Sequence, residues 1–380
     1  MGRVLQITDK GPGSGGIRRV VEDHATLLSE KGWVVTRLLL TAAQSRDPHE
    51  ETAPVPFGQH ARVQAVSLTT LKQAARHADI IHLHLGLTAV TPDLIQLAAD
   101  IAPLVVSLHD IAPFEIPSEP PPPPQTLAKR LARWRHRPAR RAVWQAVCDN
   151  ATIIHAPSRY LADLAQQAGA PSARLIIVPH SVPLPQTRPP ELADCPPLVV
   201  YAGLLSTQKG AHLLLPCLCA LPSDTRLAIC GDGPLANTIA RSLAQLDLEE
   251  RVTLTGRIDH AEVLAWMGRA RVVVHPSLIP EGFGLTILEA MMLGRPVAGF
   301  GKGATVDWLT NDVTGLVAEP ANADALAGAV EVLLRDFGLG ARLGTAGAAR
   351  AAALCSPDTV QEALIKLYHT ALARDKVLVS

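Results

Sequence analysis

The 380-residue chain lacks the marks of several whole classes of protein. It carries no excess charge of either sign: 35 Lys and Arg balance 35 Asp and Glu, which excludes a general nucleic-acid binder and leaves any polyanion contact to a local patch. No stretch reaches about 18 uninterrupted apolar residues, so no membrane-spanning helix is expected. The opening Met1-Gly2-Arg3-Val4-Leu5-Gln6-Ile7-Thr8 has neither the apolar length nor the small-residue cleavage site of a secretory signal, and Gln6 stands where a myristoylation signal wants Ser or Thr. The six cysteines (Cys148, Cys195, Cys217, Cys219, Cys230, Cys355) form no C-x-x-C pair. They read as reduced, mostly buried thiols of a cytoplasmic protein, with no zinc or disulfide framework. What is present is a globular composition, 48% hydrophobic and 18% charged, in a chain long enough for two or three domains.

Strand-like and helical patterns alternate nearly throughout. Strands are expected at Val4–Thr8, Val34–Leu40, Val63–Ser67, Ile80–Leu85, Leu104–Leu108, Thr152–His155 and Leu175–Val178, with helices such as Ile17–Glu30, Pro92–Ile101 and Ser158–Ala168 between them. The scheme repeats with strands Leu198–Tyr201, Arg226–Cys230, Val252–Leu254, Arg271–His275 and Pro296–Gly299. The second set of helices is expected near Ala211–Ala220, Leu235–Leu246, Ala261–Gly268, Gly284–Leu293 and Ala323–Leu334. Continuous Val/Ile/Leu strands alternating with helices mean parallel sheets buried on both faces, hence an α/β fold of two doubly wound domains. Seven prolines between Pro179 and Pro197 mark the connector, because proline cannot serve in either sheet. The expected division is an N-terminal domain over 1–182, a Pro-rich linker over 183–197, a C-terminal domain over 198–356 and a terminal helix within 357–380. A ligand is expected in the cleft between the domains, at the carboxyl ends of the strands.

The densest chemistry lies in Pro280-Glu281-Gly282-Phe283-Gly284-Leu285-Thr286-Ile287-Leu288-Glu289, at a strand-to-helix junction. Backbone amides freed by its glycines can face an anion at the helix N-terminus, and its two carboxylates can accept from neutral hydroxyls. Amides for phosphate and carboxylates for hydroxyls together suit a sugar nucleotide. Either glutamate alone would more often be a solvated surface charge. The Gly-rich turn Gly11-Pro12-Gly13-Ser14-Gly15-Gly16 does not fit G-x-G-x-x-G, and the second strand ends in Leu38-Leu39-Leu40 with no acid, so a nicotinamide site is disfavoured.

The Glu281-to-Glu289 segment resembles the paired-glutamate signature of the family 4 retaining glycosyltransferases of the GT-B fold. Further matches fall in order: Gly15-Gly16, His109-Asp110, Gly203-Leu204-Leu205 leading to Lys209-Gly210, Gly231-Asp232-Gly233-Pro234-Leu235, and Gly301-Lys302-Gly303 followed by Thr314-Gly315-Leu316-Val317. The resemblance covers essentially the whole chain and is most specific in its second half. It implies two Rossmann-like domains facing an interdomain cleft, a nucleotide-sugar donor in the second, a saccharide acceptor in the first, and transfer of a hexose with retained configuration. It also implies that the last helix crosses back onto the first domain.

By that likeness Lys209 and helix-end amides would stabilise the leaving diphosphate, while Glu281 takes hydroxyls of the transferred sugar and Glu289 those of the ribose. Gly15, Gly16, Gly203, Phe283, Gly284 and Leu285 would line the donor, with Arg257 and Ile258 beside the base. Relatives usually carry an arginine where this chain has Leu204; Arg18, Arg19 or Arg257 could substitute. His180-Ser181-Val182-Pro183 stands where many relatives have Asn-Gly-Val-Asp. His109 would act in catalysis and, with His84 and Asp110, at the acceptor. His82 and His84 share one face of a strand, but with no third ligand evident they read as core or acceptor contacts. No Asp-x-Asp occurs, so transfer without metal and without a cofactor is expected.

From Lys129 to Arg141 run seven basic residues (Lys129, Arg130, Arg133, Arg135, Arg137, Arg140, Arg141), with Trp134 and Trp144 nearby and no acid between Gln125 and Val147. This pattern reads either as a solvated basic face or as a helix on an anionic membrane surface, broken at Pro138. The Pro117–Pro124 run before it reads as a stiff, exposed loop. A peripheral enzyme of the inner membrane face, acting on a lipid-linked saccharide in surface or exopolysaccharide assembly, is one expectation. A catalytically weakened scaffold, motivated by Leu204, and a sugar-nucleotide epimerase are the others.

Overall fold

The computed structural model describes residues 2–9, 16–40, 50–53, 68–85, 90–111, 127–185 and 189–379. Gly15, the expected strand at Val63–Ser67 and the Pro117–Pro124 run lie outside them. The chain forms two compact units. One comprises Met1–Ile116, Pro123–Ser181 and Pro357–Ser380, the other Val182–Ser356.

The first unit holds strands β1 (Arg3–Thr8), β2 (Val34–Leu40), β3 (Glu50–Ala53), β4 (Ile80–His84), β5 (Leu104–Ser107), β6 (Ile153–Ala156) and β7 (Leu175–Ile177). They pair in the order β3-β2-β1-β4-β5-β6-β7, all parallel. Alternate residues feed opposite faces: Leu5, Ile7, Ile81, Leu83 and Val106 enter one core, Val4, Ile80, Val105 and Ile153 the other. Both faces are covered by helices, which is why these strands show no polar alternation. Its helices include α1 (Gly16–Glu30), α2 (Pro92–Ile101), α3 (Leu127–Asn150) and α4 (Arg159–Gln167), with α12 (Pro357–Val379) from the C-terminal segment.

Two expectations about the basic segment need correction. Helix α3 runs through Pro138 without interruption. A proline removes one hydrogen bond, and here it does so at an exposed position while Val143, Trp144 and Val147 anchor the following turns in the core. Trp144 is not a surface ring either: it is buried, and its indole N–H donates to the Ala168 carbonyl at 2.8 Å.

The second unit has strands β8 (Leu198–Ala202), β9 (Arg226–Cys230), β10 (Val252–Gly256), β11 (Val272–His275), β12 (Val297–Gly299) and β13 (Leu316–Val317), parallel in the order β10-β9-β8-β11-β12-β13. Val199, Tyr201, Leu227 and Val272 face one core; Leu198, Val200, Ala228 and Val273 face the other. Helices α5 (Leu214–Cys219), α6 (Ala236–Gln245), α7 (His260–Arg269), α8 (Leu285–Met292), α9 (Thr305–Trp308), α10 (Ala323–Arg335) and α11 (Phe337–Cys355) complete it. In each sheet the order reverses once, beside the strand that opens the unit: between β1 and β4, and between β8 and β11. At such a switch point the loops leave in opposite directions and open a crevice at the strands' carboxyl ends.

Candidate active site

Lys209 follows β8 and Glu281 follows β11, so both stand at the second unit's switch point. The two loops are stitched together by their backbones. Leu278 donates its N–H to the Gln208 carbonyl at 2.9 Å. Gly210 packs so close that a Cβ there would lie 1.9 Å from the Pro276 carbonyl oxygen, in a left-handed conformation (φ 71°). Only glycine fits such a position. On the other side Glu281 forms a bridge with Gly303, and Ala304 donates to its carbonyl at 2.8 Å.

The side chains converge accordingly. Lys209 Nζ donates to both carboxylate oxygens of Glu281, at 2.5 and 2.6 Å. His275 Nε2, at the end of β11, stands 3.6 Å from the same carboxylate, too far for a hydrogen bond and near enough for attraction. Burial pushes the Glu281 carboxyl up, but His275 and the Lys209 ammonium outweigh it and hold the group well below its ordinary value. Tyr201 is buried beside them; desolvation, and then the Glu281 charge, push its hydroxyl above the ordinary tyrosine range. Its O–H donates to the Leu204 carbonyl at 2.9 Å. Leu204 itself is exposed, so the loop presents an apolar tip.

Gly284, left-handed at φ 86°, opens helix α8, whose first amides have no intrahelical partner. Phe283 is fixed by Trp308, whose indole N–H donates to the Phe283 carbonyl at 2.6 Å, ring against ring at 5.2 Å. One turn further in, Glu289 is buried and bonded to His260 Nε2 at 2.9 Å. Gly203 and Arg257 are exposed and Ile258 is half-buried, just before α7. Thus Lys209 and Glu281 are brought together, while Glu289 pairs separately with His260.

In the first unit, His84 ends β4 and His109 follows β5. His84 Nδ1 lies 3.0 Å from His109 Nε2. The placing of His84 at the acceptor is corrected: it has no exposed surface and can act only through the half-buried His109. Asp110 is exposed, as is Gly16 at the start of α1. Arg18, weighed as a substitute cation, is buried and bonded to Glu22 at 2.6 Å.

Behind His84 lies a group of histidines with almost no contact with water: His24, His82, His84, His155 and His180. The absence of a third partner for His82 and His84 is corrected here, since His24 from α1 brings a ring nitrogen within 4.8 Å of one on each of them. Burial first, and then the charge of neighbouring imidazoles, His109 and His155 among them, and for His180 also that of Arg19, hold His24, His82, His84 and His180 well below the ordinary histidine range. Burial likewise lowers His155, to about 4, against a hydrogen bond to the Val178 carbonyl.

His275, Tyr201, His260 and His24 belong to these sites without any motif in the sequence that marks them as such. The signal for His260 was available in the capping box of Asp259 and Glu262, which fixes it at the first turn of α7.

The profile of the family "Glycosyltransferase Family 4" matches residues 14–185, and that of "Glycosyl transferases group 1" matches residues 186–350. The chain is 26% identical over 319 residues to a D-inositol 3-phosphate glycosyltransferase of Xylanimonas cellulosilytica, covering 78% of this chain and 73% of that one. It is 30% identical over 233 residues to a GDP-mannose-dependent alpha-(1-6)-phosphatidylinositol monomannoside mannosyltransferase of Mycolicibacterium smegmatis, over 56% of this chain and 61% of that one. Among solved structures, Anabaena HepE in complex with UDP and glucose superposes with a TM-score of 0.75 at 19% identity, covering 97% of this chain and all (100%) of the other. Sucrose-phosphate synthase of Thermosynechococcus elongatus gives 0.78 at 21% identity, covering 98% of this chain and 100% of that one.

Proposed function

Because the chain belongs to the family 4 glycosyltransferases of the GT-B fold, which use nucleotide sugars, we propose that it moves a hexose from a nucleoside-diphosphate sugar to a saccharide acceptor with retention of configuration and without metal at the donor. The carrying observation is the Lys209–Glu281 pair at the switch point, with His275 beside it.

In the proposed reaction the bond between the anomeric carbon and the diphosphate oxygen breaks. The acceptor oxygen bonds to the same carbon on the same face, and its proton goes to the departing phosphate. Charge grows on the diphosphate, so cations and amides held in advance lower the barrier. Lys209 has three donor hydrogens and can keep Glu281 while it turns one toward phosphate. Glu281 stays ionised, an acceptor for the sugar's hydroxyls. The first amides of α8 add the positive end of a helix dipole. Glu289 accepts from the ribose hydroxyls beside His260, and Arg257 and Ile258 lie by the base. Acceptor recognition falls to His109 and Asp110.

Incubation with candidate UDP- and GDP-sugars tests this, following released nucleotide and the anomeric configuration of the product. Lys209→Ala and Glu281→Ala should each lower turnover by about 10²–10³-fold while nucleotide alone still binds. Unchanged turnover in both variants, or an inverted product, overturns the reading. Wild-type binding without turnover would favour the scaffold that exposed Leu204 suggests.

We further propose a lipid-linked acceptor in polysaccharide assembly, reached at an anionic surface through the basic stretch Lys129 to Arg141. The unbroken α3 supports it, with Arg141 exposed. No helix of the described residues is long and apolar enough to cross a membrane. Sedimentation with anionic vesicles should remove the protein from the supernatant, and zwitterionic vesicles should leave it there; equal recovery from both removes the membrane from the proposal.

A further inference from the structure

The buried histidines of the first unit touch no reactant in the proposed transfer, although His84 holds His109. His82 and His84 sit on β4 and His155 on β6, His180 follows β7, and His24 lies on the buried side of α1. His24 has other imidazoles around it: its ring centroid lies 6.0 Å from that of His82, 5.6 Å from His84, 6.1 Å from His155 and 5.8 Å from His180. Among the described residues neither of its nitrogens has a hydrogen-bond partner, nor has Nε2 of His84. Buried polar atoms are nearly always paired, and a neutral imidazole carries one lone pair, so His24 and His84 leave two lone pairs at one place that call for something to accept them.

We propose that His24, His82 and His84 bind a divalent transition-metal ion of the zinc class, as a structural site inside the first unit.

The ligand set suits that class, because neutral imidazole is a preferred donor for zinc and its neighbours and a poor one for magnesium or calcium. The three rings offer nitrogens within 4.8 Å of one another. A tetrahedral ion at about 2.0–2.1 Å from each would set them about 3.4 Å apart, a closure that small side-chain rotations supply. Burial holds all three rings neutral, the form that ligates.

The outer partners are also in place. His155 Nε2 faces the Val178 carbonyl at 2.7 Å, and a carbonyl can only accept, so the proton is on Nε2 and Nδ1 carries the lone pair. Ser107 therefore donates its hydroxyl to His155 Nδ1 at 2.6 Å, and His82 Nε2–H donates to the Ser107 oxygen at 2.6 Å. That leaves the lone pair of His82 on Nδ1, where the Tyr368 hydroxyl donates at 2.6 Å; ligation exchanges this hydroxyl for the ion. His84 keeps His109 on Nδ1 and offers the bare Nε2. His82 and His84 thus each keep a partner on the second nitrogen, as metal-bound histidines almost always do, while His24 contributes one nitrogen without such a partner among the described residues. A water, or the His180 imidazole, completes the tetrahedron.

The rings have no exposed surface, so the ion enters as the unit folds. The full-length chain is therefore expressed in zinc-supplemented medium, dialysed against zinc-free buffer and analysed for metal by mass spectrometry. Wild type and the surface variant His77→Gln should retain about one zinc per chain, and His24→Gln and His84→Gln should fall to background. Wild type expressed with cobalt should show the intense visible bands of a tetrahedral, nitrogen-ligated ion, a readout that needs no variant to fold. Metal-free wild type, zinc retained undiminished in both ligand variants, or only the weak spectrum of hydrated cobalt would each overturn the assignment. None of these outcomes bears on the donor site, which lies in the other unit.

Discussion

Lys209 and Glu281 are 72 positions apart in the chain, yet one ammonium meets both oxygens of one carboxylate. The pair is part-buried, and that sets its pH behaviour. Glu281 has a folded-state pKa depressed below its ordinary 4.5, so the stability it contributes is present above about that pH and lost as pH falls toward the folded value. Glu281→Gln should therefore lower stability by about 1–3 kcal/mol at pH 7. Denaturant unfolding should show that difference flat from pH 7 to about 5 and shrinking below about 4.5, by about 1.4 kcal/mol per unit at most. A difference that began to shrink near pH 6.5 would assign the effect to a histidine instead. Glu281, Glu289 and the glycines between were legible in the sequence because their spacing is itself the signal. His275, His260 and His24 were not: a single histidine has no period, and its partners come from strands and helices distant in sequence.

At the scale of elements, strands buried on both faces announced themselves as apolar runs, and those of the second sheet were legible nearly to the residue. Two were not. Glu50–Ala53 has no apolar run, because it lies at the end of the sheet order with a partner on one side only among the described residues, and Leu316–Val317 is two residues long. Helix α11 was hidden by composition, since Gly338, Gly340, Gly344 and Gly347 read as breakers. The structure gives the reason at Gly344: a Cβ there would lie 2.2 Å from the Gly294 carbonyl oxygen. Contact that close lets α11 lie against α8 and the turn after it. Gly344→Ala, although it favours helix locally, must push this turn away and should destabilise the second unit by about 1–3 kcal/mol. Because Glu289, the proposed partner of the ribose, rides on α8, nucleotide affinity should fall with it. A variant as stable as wild type in denaturant, with unchanged affinity, would show that the backbone relaxes freely.

Across the whole molecule, the first unit is closed by the last segment of the chain. Val360, Leu364, Leu367 and Tyr368 of α12 pack with Val4, Ile80, Val105 and Ile153, and Gln361 Nε2 donates to the Leu27 carbonyl at 2.7 Å. Burying four such side chains contributes about 6–12 kcal/mol at the upper bound, as much as the entire net stability of an ordinary domain. The first unit therefore cannot reach its folded free energy until the C-terminal helix has been synthesised, whereas the second has its own core without it. A chain ending at Ser356 should lose slow hydrogen exchange in β1, β4 and β5 and keep it in β8, β9 and β11. It should also still gain thermal stability from the nucleotide, by mass action on the unit proposed to bind it. Protection retained in β4 and β5 of the truncated chain would mean that the sheet holds its fold without α12. The packing of Tyr368 against His82 would then have to be read as an addition to a finished unit.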